Sequence, residues 1–301
     1  MPTKDNVDKV EVIMISSCKY QNEIIDELKR LEFQGEVVTF YNADENEFIY
    51  LPSKNNQDYF FMGKYNNWND AKNMSIGYDE KSIAEKVLNA TLQVMNGQAK
   101  YERDSVLFYE EFYNYRLISV IGLLATKKKK ITVLDVGGAL GSEYWRNITI
   151  LNKFGIEITW IVYEQENYVN LGEKYIKDIQ FTKDLPSHAD VVLLSSVLQY
   201  IPDYQEMLRT ILQGGSEYIL IDRQPVADYS QICIQYVGSN IYNASYPMQV
   251  INKMEMNNIF TESNYKLLAE FDSEVDKGIY YLNGKEFKYK GFLYEKLCNT
   301  F

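Results

Sequence analysis

From residue 131 onward the sequence alternates short apolar runs with amphipathic segments, and this alternation constrains the fold more than any other feature. Strands alternating with helices are typical of an α/β protein whose parallel sheet carries helices on both faces. The run Val191–Ser195 is almost purely apolar, as expected of a strand covered on both faces. We therefore predict a Rossmann-like, mostly parallel sheet of seven strands that includes an antiparallel edge pair.

The predicted elements follow from apolar periodicity. The first five strands are predicted at Ile131–Val136, Glu157–Tyr163, Ile179–Thr182, Val191–Ser195 and Tyr218–Ile221. The helices among them are predicted at Ser142–Phe154, Asn167–Tyr175 and Tyr204–Leu212. The antiparallel edge pair is assigned to Tyr265–Phe271 and Phe287–Leu293. Before this pair, Pro225–Pro247 is interpreted as irregular and aromatic, and a helix is expected near Met248–Ile259.

The part of the chain before residue 131 divides into two further regions. Residues 1–58 contain a strand at Val10–Ile15, an amphipathic helix at Gln21–Leu31 and a strand at Glu36–Phe40, which predicts a small βαβ-like extension. Residues 59–130 are predicted to be a mostly helical lead-in or lid, with helices at Ser82–Met95 and Val106–Leu124. Residues 131–301 then form the main domain.

Composition and charge narrow the class of protein. With 46% hydrophobic and 24% charged residues, the chain is predicted to be an ordinary globular protein. Its net charge of −11 would repel phosphate backbones, so no nucleic-acid partner is expected. Neither a signal-peptide pattern nor a membrane-length apolar stretch is present, so we expect a cytoplasmic protein without membrane insertion. Three cysteines without a CxxC spacing predict neither a disulfide framework nor a metal site.

The strongest local signal is a glycine-rich turn between the first predicted strand and its helix, at Val133–Ser142. Glycines there let a ligand approach the backbone closely, and the helix N-terminus beyond can receive a carboxylate. Asp135 ends this strand, where it can reach an ammonium group. Glu164 ends the next strand at roughly the 20-residue spacing from the last glycine at which a carboxylate grips ribose hydroxyls. The two acids together indicate a nucleoside-like ligand.

These residues resemble a known cofactor motif. Asp135, Gly137 and Gly141 fit Asp-x-Gly-x-Gly-x-Gly with Ala139 in place of the middle glycine, which resembles motif I of class I S-adenosylmethionine-dependent methyltransferases. Asp190–Pro202 looks like the strand-four motif of that family, and the terminal strands suit its seven-stranded sheet. The resemblance implies S-adenosylmethionine as the cofactor. The residues implied to bind it are Asp135, Gly137, Gly138, Gly141, Ser142, Glu164, Asp184 (near the adenine), Ser195 and Ser196.

A narrower resemblance covers about residues 59–301. The segments that carry it are Asn67–Ala71, Gly77–Asp79, Tyr101–Ser105, Asp135–Ser142, Leu198–Tyr200, Asp222–Arg223 and Ile241–Pro247. Together they are similar to a family of methyltransferases associated with bacterial surface-polysaccharide gene clusters. The resemblance implies a small-molecule or glycan acceptor, with methylation of an oxygen of a sugar, nucleotide-sugar or glycan precursor. A carboxylate or nitrogen acceptor remains open.

Candidate catalytic residues lie after the later strands. Asp222 is the candidate base for a hydroxyl acceptor, and Arg223 either holds an acidic sugar or phosphate or forms a structural salt bridge. Gln199 and Tyr200 are expected to line the methyl-transfer site. The substrate residues are assigned to Arg103 and Asp104 in the lid, and to Tyr242 and Tyr246, whose rings suit sugar stacking. The only histidine, His188, precedes strand four and is assigned to a surface turn.

Two other functions remain open at this stage. One is a non-catalytic methyltransferase-fold module that binds or scaffolds in a glycan-assembly complex. The other is a nucleotide-sugar dehydrogenase or epimerase that uses a dinucleotide, although the glycines do not fit GxGxxG. The oligomeric state, a homo-oligomer included, and the role of residues 1–58 are also left open.

Overall fold

The computed structural model describes residues 12–15, 20–39, 41–42, 47–48, 59–75, 80–237 and 244–297. Its helices are α1 Gln21–Arg30, α2 Trp68–Met74, α3 Glu80–Met95, α4 Tyr115–Ala125, α5 Ser142–Leu151, α6 Glu166–Tyr175, α7 Tyr204–Gln213 and α8 Lys253–Glu262. Short 3₁₀ turns occupy Asn152–Phe154 and Leu198–Tyr200.

The strands before residue 130 are β1 Val12–Ile15, β2 Glu36–Thr39, β3 Tyr41–Asn42, β4 Glu47–Phe48, β5 Tyr59–Tyr65, β6 Tyr101–Arg103 and β7 Val106–Phe108. The later strands are β8 Lys130–Val136, β9 Glu157–Tyr163, β10 Gln180–Thr182, β11 Val191–Ser195, β12 Tyr218–Ala227, β13 Gln231–Val237, β14 Ala244–Asn252, β15 Tyr265–Asp272, β16 Tyr280–Leu282 and β17 Lys285–Lys296.

An α/β sheet with a parallel centre organises the chain from β8 onward. Strands β10, β9, β8, β11 and β12 lie side by side in that order, all parallel. Strand β17 runs antiparallel to β12, and β15 runs antiparallel to β17. All seven predicted strands are therefore present. The assignment of the last two as an edge pair was partly wrong, because β17 lies inside the sheet between β12 and β15.

The predicted count of seven strands was wrong, because the sheet has eleven. Strands β14, β13 and β5 extend it beyond the end of β12, and β16 pairs with β17. The segment interpreted as irregular is thus largely the β13–β14 pair. Buried glutamines interrupt its apolar pattern and hid the strands: Gln231, Gln235 and Gln249.

The lead-in also departs from its predicted helical character. Helices α2, α3 and α4 are present, but β5 belongs to the main sheet, and residues 101–108 form the hairpin β6–β7. Arg103 pairs with Val106 across a two-residue turn in which Asp104 and Ser105 have φ of 52° and 66°. Positive φ at both central residues is what tight hairpin turns require, and Asp-Ser is a weaker sequence signal for it than Asn-Gly. The helix predicted at Val106–Leu124 was therefore wrong in its first part, because residues 106–108 form β7 and α4 begins only at Tyr115.

At the N-terminus, β1 and β2 pair in parallel with α1 between them, which confirms the predicted strand–helix–strand order. Two larger apolar cores cover the faces of the central sheet. One packs α3, α4 and α5 against residues such as Val133 and Trp160, and the other packs α7 and α8 against residues such as Leu134 and Val192. Within the described ranges, every helix is too short or too polar to cross a membrane.

Candidate functional site

A cavity of about 960 Å³ opens where the parallel strands β8, β9, β11 and β12 end. Such crevices at the carboxyl ends of strands are where open α/β sheets bind ligands. Its wall contains most of the residues assigned from the sequence: Arg103, Asp104, Asp135, Gly137, Gly138, Ser142, Glu164, Ser195, Ser196, Tyr200, Arg223 and Tyr246. The structure therefore brings the two strand-end acids and the glycine turn together in one site.

Asp135 lies at the bottom of this cavity. Strand alternation places it on the same face as Val133, and its side chain is only 1% exposed. The indole Nε1 of Trp160 donates to Asp135 Oδ2 at 3.2 Å. Burial, with the nearby carboxylates of Glu143 and Glu164, raises the pKa of Asp135 to about 8. A cationic group entering the cavity would stabilise its ionised form.

Two glycines are required by contacts within the protein as well as by any ligand. A Cβ on Gly138 would stand 2.4 Å from the carboxylate of Asp135, so the missing side chain makes room for that acid. Gly141 has φ of 85° and begins α5, and a Cβ there would stand 2.2 Å from Ile179 Cδ1. Gly141 thus shapes the turn without lying in the cavity wall.

Glu164 is tied to the glycine turn by its own carboxylate. Its Oε2 accepts the backbone N–H of Gln165 at 2.7 Å, and its Oε1 accepts that of Ala139 at 3.3 Å. Burial is the main cause that raises its pKa above the ordinary value. The carboxylate is held at the tip of β9, at the edge of the cavity that Asp135 and the glycine turn also line.

Four residues other than glycine with left-handed backbones line this same cavity. They are Asp104, Ala139, Ser196 and Arg223, with φ of 52°, 50°, 54° and 55°. Residues other than glycine adopt a left-handed backbone only at a cost in free energy. Residues strained in this way cluster at functional sites. Asp104 owes its positive φ to the hairpin turn, and the other three residues support the choice of this cavity as the candidate functional site.

Arg223 enters the cavity because β12 is bulged. The register of β12 against β17 shifts between Ile221 and Gln224, and bulges of this kind redirect a side chain. The backbone N–H of Arg223 donates to Asp222 Oδ1 at 2.9 Å, and its Nε donates to Asp276 Oδ2 at 2.7 Å. The Arg223–Asp276 pair is almost buried, with side-chain exposures of 14% and 12%.

Aromatic side chains complete the wall beyond Arg223. The hydroxyl of Tyr200 donates to Gln235 Oε1 at 2.9 Å, and the ring of Tyr246 meets the Tyr200 ring edge-to-face at 5.3 Å. Burial raises the pKa of Tyr200 to about 12, so this hydroxyl stays protonated at neutral pH. Tyr280 and Tyr289 also line this side of the cavity.

Five sequence assignments lie away from the cavity wall or outside the described residues. Asp222 sits behind the wall, where its buried carboxyl supports the backbone of Arg223, and burial raises its pKa to about 6. Gln199 is also buried and donates to Ser196 Oγ at 2.8 Å. Asp184 is exposed, and the neighbouring Lys183 lines the cavity instead. Gly141 is described above, and Tyr242 lies outside the described residues. His188 is exposed in a turn, as expected.

Sequence reasoning missed Glu102. It is 3% exposed, accepts a hydrogen bond from the Ser142 hydroxyl at the start of α5, and accepts the N–H of Ser105 at 3.1 Å. Burial is the main cause that raises its pKa to about 7. The segment Tyr101–Asp104 was noted in the sequence as part of the lid. Only the prediction of a strand there would have indicated that Glu102 is buried. Asp276 was also missed, because it lies in a loop without a recognisable motif.

The raised pKa of Asp135 predicts a pH-dependent stability. Its folded-state pKa of about 8 exceeds its ordinary 3.8, so the folded protein binds this proton more tightly and loses stability as pH rises from about 4 to 8. We expect Asp135→Asn to remove several kcal/mol of this loss in the ligand-free protein. Urea denaturation of both proteins at pH 5 and pH 8 measures it. Equal pH dependence in the two proteins would contradict the assignment.

Comparisons with known proteins give only distant similarities. No family model matches the chain, and no curated protein matches it. A solved S-adenosylmethionine-dependent methyltransferase from Clostridium acetobutylicum is 8% identical, covers 70% of this chain and 98% of its own, and has a TM-score of 0.44. The [4+2]-cyclase SpnF is 13% identical over 72% of this chain and 95% of its own, with a TM-score of 0.43.

A third solved structure, the glycopeptide N-methyltransferase MtfA in complex with S-adenosylmethionine, is 9% identical. It covers 60% of this chain and 87% of its own, with a TM-score of 0.41. Identities and scores this low assign no activity, so the function is argued from the site's own residues.

Proposed function

We propose that this protein is an S-adenosylmethionine-dependent methyltransferase. The observation that carries the proposal is the convergence of Asp135, Glu164 and the glycine turn on one cavity at the carboxyl ends of β8 and β9. One acid at the tip of β9 suits a ribose diol, and one at the tip of β8 suits an ammonium group. The sequence resemblance to the methyltransferase motif supports the same ligand.

The residues present fit the charges of this cofactor. S-adenosylmethionine carries a sulfonium, an ammonium and a carboxylate. Three carboxyl groups line the part of the cavity next to the glycine turn, here called the inner half, and they suit a cationic ligand. They belong to Glu102, Asp135 and Glu164. The N-terminus of α5 at Ser142 adds backbone N–H groups that suit the cofactor carboxylate. Ser195 ends β11 and Ser196 follows it, and both line the cavity and are proposed to complete the cofactor site.

The chemistry supplied by the bound cofactor is an electrophilic methyl group on its sulfonium. The protein contributes chiefly by aligning an acceptor lone pair with that methyl group and by excluding water. We propose that Tyr200 and Arg223 orient the acceptor and that Asp222 positions Arg223. Glu102 borders both groups of residues, since it accepts a hydrogen bond from Ser142 and precedes Arg103 on β6, and its pKa near neutrality suits the role of base for a hydroxyl acceptor.

We also propose that the methyl acceptor is an oxygen of a sugar, nucleotide-sugar or glycan precursor. The β6–β7 hairpin is proposed to form part of the lid over it. The tyrosine-lined wall at Tyr200, Tyr246 and Tyr280 supports this, since aromatic faces suit stacking against sugar rings. The hairpin contributes Arg103 and Asp104 to the cavity from outside the residue 131–301 region.

Ligand binding discriminates this proposal from a dinucleotide enzyme. We expect S-adenosylhomocysteine to bind saturably in calorimetry and to raise the melting temperature, because its ribose and amino-acid groups meet Glu164 and Asp135. NAD is expected to produce neither effect. Saturable NAD binding without S-adenosylhomocysteine binding would refute the proposal. Turnover with S-adenosylmethionine and a glycan precursor would separate an enzyme from a non-catalytic binding module.

A further inference from the structure

Two arginines from distant parts of the chain line the cavity near Tyr200 and Asp276, on the side here called the acceptor half. Arg103 comes from the β6–β7 hairpin and Arg223 from the bulge of β12. We infer that they bind an anionic group of the acceptor, a phosphoryl or carboxylate group, between them. The inference rests on the proposed function and specifies the acceptor class for the same site.

Of the two arginines, Arg103 is the one whose guanidinium is available to bind a ligand. Its guanidinium stacks on the Phe108 ring, 4.9 Å from the centroid, and among the described residues no carboxylate lies within ion-pair distance of it. Both of its neighbours in the chain are acidic: Glu102 is buried and accepts a hydrogen bond from the Ser142 hydroxyl, and Asp104 occupies the turn of the hairpin. A half-buried guanidinium without an ion pair is costly, and a bound anion would offset this cost.

Arg223 is held in a fixed direction by the protein. The contact between Arg223 Nε and Asp276 Oδ2 and the left-handed backbone at the bulge both restrict the orientation of its guanidinium. The pKa of Arg103 is lowered first by burial and next by the positive charge of Arg223, so the two guanidinium groups repel each other. An anion between two such groups removes this repulsion, and planar guanidinium groups suit the paired oxygens of phosphate or carboxylate.

The charge distribution of the cavity agrees with this division. The buried acids Glu102 and Asp135 lie at the start of α5 and at the glycine turn, whereas Arg103 and Arg223 lie near Tyr200 and Asp276. The acids facing the acceptor half are Asp104 and Asp276, and Asp276 is already engaged by Arg223. Because Asp276 is already engaged, no ion pair among the described residues balances the positive charge of Arg103.

The test measures binding of three defined probes to the protein saturated with S-adenosylhomocysteine. Glucose 1-phosphate and glucuronate carry the two anionic groups, and glucose is the neutral control. We expect at least one anionic probe to bind and glucose not to bind at the same ionic strength. Arg103→Gln is expected to weaken that binding about tenfold or more, because a charge-assisted hydrogen-bond donor is lost. Arg103→Lys, which keeps the charge but not the fork, should lose affinity to a smaller extent.

Lys100→Gln is the matched control. Lys100 precedes the same hairpin, pairs with Glu111 at 3.2 Å on the surface and lies outside the cavity, so probe affinity should not change. Failure of both anionic probes to bind, or equal affinity in wild type and Arg103→Gln, would overturn the inference. S-adenosylhomocysteine affinity, measured first in every variant, separates this outcome from failure of the cofactor site itself.

Discussion

Glu164→Ala is expected to lower the affinity for S-adenosylhomocysteine by about 100-fold or more. The carboxylate would accept two hydrogen bonds from the ribose hydroxyls, and each charge-assisted bond contributes about 1.5–3 kcal/mol. The substitution also removes the carboxylate that accepts the Ala139 N–H, so part of the loss comes from the glycine turn itself. Calorimetric titration measures the affinity.

Glu157→Ala is the matched control for this variant. Glu157 begins the same strand at its opposite end, where it is exposed and pairs with Lys130. Its removal is expected to leave the affinity within about a factor of two, because an exposed ion pair contributes about 1 kcal/mol or less to stability and neither Glu157 nor Lys130 lines the cavity. Wild-type affinity in Glu164→Ala would contradict the proposed cofactor site.

Asp276→Ala is expected to lower the free energy of unfolding by about 3–5 kcal/mol. The substitution leaves the guanidinium of Arg223 almost buried without its charged partner, which costs far more than the pair contributes when intact. Urea denaturation measures the change. A second substitution, Arg223→Met, in the Asp276→Ala protein should recover part of the loss, because the buried charge that Asp276 balanced is then absent.

The chain offers a matched control two residues away. Glu274 pairs with Arg116 at 3.1 Å, but side-chain exposures of 26% and 37% leave this pair accessible to water. Glu274→Ala is therefore expected to cost about 1 kcal/mol or less. Equal destabilisation by the two variants would contradict the cost assigned to leaving the Arg223 guanidinium buried without Asp276.

The part of the site at β8 and β9 was predictable from the sequence because its residues lie close together along the chain. Asp135 and the glycine turn are contiguous, and Glu164 follows at a spacing fixed by one helix and one strand. Parallel strands bring their carboxyl ends to the same edge, so the meeting of the two acids followed from the strand assignments alone. Their place in the cavity wall agrees with that expectation.

The acceptor half was only partly predictable, because long-range contacts build it. Asp276 reaches Arg223 from a loop, and Glu102 reaches Ser142 from a hairpin interpreted as part of a helical region. Buried glutamines hid β13 and β14, since a polar residue inside a strand breaks the expected period. Asp222 was expected at the carboxyl end of strand five, but β12 continues to Ala227, and its bulge turns the neighbouring Arg223 into the cavity instead.

The pairing of β5 with β13 has a consequence for how the molecule assembles. β5 is made early in synthesis, yet its partner strand emerges only after the whole parallel centre of the sheet. Contacts of such long sequence separation form slowly, and an unpaired strand edge attracts other chains in the meantime. Strand β5, at one edge of the sheet, must therefore wait for β13, the strand that carries Gln235 of the cavity wall.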